Sequence, residues 1–173
     1  MMMAGLAILA SCLLVYAALH DLAVRTVPNW LSAALFCIGF GTRLADHTLL
    51  SGLAVCAGTF VILFVLWILS AMGGGDVKLW AASALLIPPL LRPELNFIMA
   101  VVLLGGVLAV LYLGLGLVVP RPQASRAGGM LRRLLRAEAW RISKKAPLPY
   151  ACAIAGGAIL TFLPLTLQRL GSL

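Results

Sequence analysis

Residues 51–75 contain no charged side chain, and neither do residues 1–19 or 95–119. Each stretch holds more than about 18 residues, which at about 1.5 Å of helical rise per residue approaches the roughly 30 Å hydrocarbon core of a bilayer. A chain that is 63% hydrophobic and 10% charged over 173 residues is too apolar throughout to be a soluble domain. These runs predict an all-α, polytopic membrane protein. No polar segment is long enough to fold by itself, so residues 1–173 are expected to form one integral membrane domain.

Prolines, glycines and isolated charges divide the runs into a bundle of six transmembrane helices. The first is expected over residues 2–19, ending at His20-Asp21. The second is expected over residues 29–42, with Asn29 as its cap and with Trp30 and Arg43 anchoring it at the two interfaces. Between them, Pro28 pushes Val27 out of helical geometry. The third covers residues 52–72, where Gly73, Gly74 and Gly75 end it, and the fourth covers 77–87, stopped by Pro88-Pro89. The fifth covers residues 95–119, and the sixth 149–167. Gly105-Gly106 and the Gly114, Gly116 pair would let the fifth helix approach its neighbours closely.

Residues 1–19 lack the basic region of a secretory signal, so this segment is expected to stay as a span. Cys12, Cys37, Cys56 and Cys152 each stand alone in an apolar run, without metal-ligand spacing, and are expected to pack as small hydrophobes. His20 and His47 have no partners at metal spacing either, so neither a metal nor a cofactor is expected. Asp46 and Glu94 fall in short polar turns and are expected to be solvated.

The net charge of +8 is concentrated in residues 120–149, which hold Arg121, Arg126, Arg132, Arg133, Arg136, Arg141, Lys144 and Lys145 against Glu138. Leu131, Leu134, Leu135, Ala139 and Ile142 recur there at helical spacing. The pattern reads as a basic amphipathic cytoplasmic loop lying on anionic lipid headgroups, and no nucleic-acid partner is needed to explain the charge. Six crossings place the loops after the first, third and fifth helices on one face. That face carries ten basic residues, and the opposite face carries three, Arg43, Arg92 and Arg169. The excess of cations makes the first face cytoplasmic, which puts Asp21 and Asp76 there and both termini in the periplasm.

A carboxylate at the centre of a membrane helix costs roughly 2.5–3.5 kcal/mol on insertion scales, so Asp21 and Asp76 need a reason. Two carboxylates sharing a proton can activate water and polarise a carbonyl, which is peptide hydrolysis. Structural carboxylates in interfacial loops fit the spacing about as well, and ion or proton movement is a lesser alternative. The glycines before Asp76 either admit a substrate backbone or simply end a helix. Lys78 either balances charge in the site or faces lipid phosphate.

The residues around these two aspartates carry a resemblance. Gly73-Gly74-Gly75-Asp76 matches the GxGD motif of intramembrane aspartyl peptidases, and its continuation through Val77-Lys78-Leu79-Trp80 resembles the version in type IV prepilin peptidases. Asp21, followed by Arg25 and then Pro28-Asn29, is similar to that family's first-aspartate motif, and Pro149-Tyr150 before a small-residue helix is a third match. The resemblance implies cleavage of a short basic leader from prepilins, leader plus N-terminal hydrophobic helix, at the cytoplasmic membrane face. It implies catalysis by Asp21 and Asp76. Gly73, Gly74, Gly75, Lys78, Arg25, Pro28, Asn29, Pro149 and Tyr150 would then bind substrate or shape the site. The short chain resembles the monofunctional members that serve tight-adherence (Flp) pili, for which no N-methyltransferase activity is expected. A transporter, or an inactive pilus or secretion assembly factor on the same scaffold, is the alternative. Ala151 departs from the family's usual glycine, and Arg25 alone remains of the basic stretch after Asp21.

Overall fold

Among residues 2–118 and 148–171, which the computed structural model describes, every regular element is an α-helix. They are α1 (Met2–Val24), α2 (Asn29–Ala45), α3 (Leu49–Ile68), α4 (Gly74–Ala84), α5 (Leu91–Val118) and α6 (Tyr150–Gly171). Four stretches are long and apolar enough to cross a membrane: Met3–Val24, Leu49–Ile68, Leu91–Leu115 and Tyr150–Gln168. The 17 residues of α2 rise about 26 Å, and the 11 residues of α4 only about 16 Å. Apart from Leu148 and Pro149, the basic segment at 120–149 lies outside the described residues.

Helix ends differ from the sequence expectation in ways that matter for the aspartates. Helix α1 runs through Asp21 to Val24, because Leu22-Ala23-Val24 contains no breaker and the proline restricts only Val27. Arg25 ends it in the left-handed region (φ 61), its N–H donating to the Asp21 carbonyl at 2.8 Å. Helix α3 stops at Ile68, well before the glycines. Ser70 takes φ 58 and donates to the Trp67 carbonyl, and Ala71 donates to that of Leu66, both at 2.9 Å. This closure satisfies the last carbonyls of α3 without any glycine.

The glycines therefore start a helix instead of ending one. Gly73 is its extended cap (φ −71, ψ 140), Gly74 and Gly75 are its first residues, and Asp76 sits in its first turn. Asn29, expected as a cap, is the first helical residue of α2, with Pro28 in the cap position and no side-chain cap bond. Arg92-Pro93-Glu94 joins the first turn of α5, where the N–H that proline lacks has no helical partner anyway.

Two contact units follow from this arrangement, Met1–Leu104 with Pro149–Leu173, and Gly105–Leu148. In the first, α4 is the central helix, with Val77 and Leu79 through Ala84 all buried. It packs against α2, α3 and α6, while α1 packs chiefly on α6. The Trp80 ring meets Phe97 of α5 edge-on, with centroids 6.2 Å apart. Close backbone approach occurs at Gly39, where a Cβ would lie 2.5 Å from the Leu85 Cβ, and at Gly157, where it would lie 2.9 Å from the Val101 nitrogen. Phe60, Val61, Phe64 and Trp67 of α3 face outward, as lipid contact requires. Cys12 and Cys37 are also exposed, and only Cys56 is fully packed.

Arg43, expected as an interfacial anchor, is instead 4% exposed. Its Nε donates to the Leu85 carbonyl at 3.1 Å and its Nη2 to the Leu86 carbonyl at 3.4 Å, while Nη1 lies 3.2 Å from Asp46 Oδ2. Leu85 and Leu86 follow the short α4, where carbonyls have lost their helical donors and burial keeps water away. Gly52 leaves room for the stem, since a Cβ there would lie 2.8 Å from Arg43 Cγ. Asp46 is thus ion-paired rather than a free turn residue, and Glu94 is half-buried with one carboxylate oxygen out of contact with solvent. Replacing Arg43 with Met leaves two carbonyls and a carboxylate without their donor. A loss of about 3 kcal/mol is expected in detergent unfolding, against almost none for a surface anchor.

Candidate active site

Asp21 and Asp76 reach one region from two helix ends. Asp21 sits in the last turn of α1 and is 5% exposed. Its Oδ2 accepts a hydrogen bond from the Ala151 N–H at 3.2 Å, across 130 residues of sequence. Ala151 is the second residue of α6, so the carboxylate faces the first turn of that helix, where the helix dipole is positive. Pro149 is fully buried beside this turn, and the Cys152 thiol donates to the Ala18 carbonyl of α1 at 3.4 Å. The Pro149-Tyr150 motif is therefore held against the first-aspartate motif.

Asp76 is the third residue of α4, a helix outside the four candidate spans. Burial pushes its carboxyl up to about 7, the charge of Asp21 adds to the rise, and a hydrogen bond with the Gly73 backbone opposes it. The hydrogen bond to the cap residue from the third helical position is one half of a capping box. Gly73 is needed for it, since a Cβ there would lie 2.8 Å from Asp76 Oδ2. Like charges near each other in a poorly solvated site make one of them hold its proton, and the charge of Asp21 shifts Asp76 in that direction.

The other two glycines seat the helix. A Cβ at Gly74 would lie 3.1 Å from the Trp67 indole nitrogen, and one at Gly75 would lie 3.1 Å from the Val27 Cβ. The space is filled by the chain itself, which presses the first turn of α4 against the loop that follows α1. Lys78 donates to Asn29 Oδ1 at 3.0 Å and so ties α4 to the start of α2. His20 Nδ1 donates to the Thr26 carbonyl at 2.8 Å, which braces the turn after Asp21. Arg25 ends α1 and Pro28 precedes α2, so both shape that same turn.

Of the residues singled out in the sequence, Asp21, Asp76, Gly73, Gly74, Gly75, Lys78, Asn29 and Pro149 thus occupy connected positions, and Tyr150 opens α6 beside them. Sequence reasoning missed the Ala151 N–H, which any residue but proline supplies. It also missed Trp67 and Val27, whose apolar side chains give no signal of contact with a glycine. Ala151 itself had drawn notice as a departure from glycine, and in a helical first turn alanine keeps the N–H that matters.

No curated protein and no solved structure matches the chain. The sequence model of the type IV leader peptidase family does, over residues 8–114. That span covers both aspartates and the glycines, and stops short of Pro149-Tyr150. With well over half of its length matched, and with both aspartates inside the match, the chain belongs to the type IV leader peptidase family.

Proposed function

We propose that the chain is an aspartic-type peptidase that removes the short leader of Flp-like type IV prepilins at the cytoplasmic face of the bacterial inner membrane. The observation that carries this reading is the family match over both aspartates, supported by the burial of Asp21 and by the effect of its charge on Asp76. In outline, the ionised member of the pair takes a proton from water, and the protonated member donates to the scissile carbonyl oxygen. The hydroxide adds to the carbonyl carbon, and collapse of the tetrahedral adduct breaks the C–N bond while a proton passes to the leaving amine. The pair titrates as a unit, so neither carboxyl has a permanent role.

In this reading the chain crosses the bilayer six times; the fourth crossing starts at Val77, leaving Asp76 at its edge, and the non-helical chain after α4 completes it. Support comes from the burial of Leu85, Leu86 and Ile87 and from the Arg43 bonds to two of their carbonyls. Non-helical backbone at membrane depth persists only where protein covers and satisfies it. The charge count supports a cytoplasmic side for the aspartates, with the basic segment at 120–149 meeting anionic headgroups there.

Asp21→Asn and Asp76→Asn keep the shape and remove the shared proton. Each is expected to cut cleavage of a co-expressed prepilin by about 10³-fold or more, read as a gel shift, while detergent stability is kept. A variant that still processes prepilin contradicts the mechanism, and an ion flux lost in both variants, with prepilin uncleaved by the unaltered chain, points to transport instead.

The pH profile gives a second check. With its pKa raised to about 7, Asp76 holds a proton below that pH and loses it above. Hydrolysis needs one proton on the pair, so kcat/KM is expected to fall as pH rises through about 7. A profile flat to about pH 9 contradicts this.

A further inference from the structure

Two cavities lie at the end of the first contact unit remote from Asp21 and Asp76. One, of about 380 Å³, sits between the start of α1, the end of α2 and the end of α6. The other, of about 350 Å³, sits between the end of α2, the start of α3 and the chain that joins α4 to α5. Arg43, Asp46 and Pro88 line both, so the two meet at the Arg43–Asp46 ion pair. The Asp46 side chain keeps 20% of its surface exposed and Ser51 is exposed, so a guest can reach the polar end. Away from the pair the first cavity is walled by Leu6, Ala10, Ile38, Leu86 and Phe162. Ile38 lies about two turns back along α2 from Asp46, so this apolar part runs toward the middle of the helices.

The polar lining is rich in acceptors and poor in donors. A hydroxyl has one proton and two lone pairs. Thr42 gives its proton to the Gly39 carbonyl at 2.8 Å, Ser51 to that of Thr48 at 3.0 Å, and Thr166 to that of Phe162 at 2.9 Å. Each then faces the cavities with lone pairs alone. The Thr48 hydroxyl oxygen is out of contact with solvent, and Pro88 and Pro89 carry no N–H. Arg43 is 4% exposed and turns its N–H groups to the Leu85 and Leu86 carbonyls and to Asp46. A guest therefore meets a carboxylate and hydroxyl lone pairs beside an apolar crevice. The matching molecule has a donor-rich cation at one end and hydrocarbon at the other. A primary ammonium brings three N–H donors and a positive charge, and its bonds to a carboxylate are of the strong, charge-assisted kind.

We infer that the two cavities form one site for an aminophospholipid, with the ammonium of its phosphoethanolamine head on Asp46 and Ser51 and an acyl chain in the crevice walled by Leu6, Ile38 and Phe162. A trimethylammonium head brings the charge without an N–H, and a glycerol head leaves the phosphate charge to face Asp46 uncompensated. The site touches neither Asp21 nor Asp76 and stands whether or not the chain is a peptidase.

Native mass spectrometry of the full chain in detergent tests this, with phosphatidylethanolamine, phosphatidylcholine and phosphatidylglycerol of identical acyl chains as probes. Phosphatidylethanolamine is expected to bind about tenfold more tightly than either of the others. Leu6→Trp and Leu165→Trp fill the first cavity from different helices. Each is expected to weaken phosphatidylethanolamine about tenfold while the helical circular dichroism stays unchanged. Asp46→Asn is expected to bring phosphatidylethanolamine within about twofold of phosphatidylcholine. Because Asp46 also pairs with Arg43, Ser51→Ala decides the same point should that variant misfold. It is expected to weaken phosphatidylethanolamine about threefold and to leave phosphatidylcholine unchanged. Free phosphoethanolamine at the same concentrations is expected not to bind. Equal binding of the three lipids overturns the inference, as does a preference that survives both tryptophan variants. Binding of free phosphoethanolamine as tightly as the lipid overturns it too, since the crevice would then hold no chain.

Discussion

Holding a carboxylate away from water at the head of a short helix is the constraint that the surrounding structure answers. Asp76 is half-buried, feels the charge of Asp21 and is held by the Gly73 backbone. Burial alone would favour its neutral form. The charge of Asp21 strengthens that preference, and the Gly73 bond limits it. What results is a carboxyl that exchanges its proton near neutral pH instead of one that stays permanently charged or permanently neutral. Asp21 has the complementary surroundings, facing the N–H groups at the start of α6. Each carboxyl is thus served by backbone, which is already in place and needs no side chain to move.

The same helix poses a second problem at its other end. Helix α4 ends at Ala84, so the buried carbonyls of Leu85 and Leu86 beyond it need outside donors. Arg43 of α2 supplies them, and Asp46 balances its charge. Gly39 brings α2 against the backbone at Leu85, and Gly52 leaves room for the Arg43 stem. At the head of the helix Gly74 and Gly75 do the equivalent against Trp67 and Val27. The position of Asp76 is therefore fixed from both ends of the segment that carries it, which is how a site gains precision on an element so short.

The helical class and the two aspartates were legible because charge in an apolar run is rare and its spacing is easily read. Helix ends were less so. Ser70, Arg25 and His47 all end helices in left-handed geometry without being glycine, and nothing in their side chains announces it. The triple glycine invited the wrong inference for that reason, since it looks like a stop and acts as a start. Arg43 was misread because an arginine near the end of an apolar run usually reaches for headgroups, and only tertiary contact shows it turned inward. The Ala151 bond was invisible because backbone carries no residue signature.

The central claim is that Asp21 and Asp76 act as one electrostatic unit. Titrating Asp76 by infrared or NMR detection of isotope-labelled aspartate, in the unaltered chain and in Asp21→Asn, tests it most directly. With the Asp21 charge removed, the pKa of Asp76 is expected to fall below its value of about 7, yet to stay above that of a solvated carboxylate because its burial remains. An unchanged pKa would mean that the two carboxyls do not sense each other, and the account of a shared proton would be wrong.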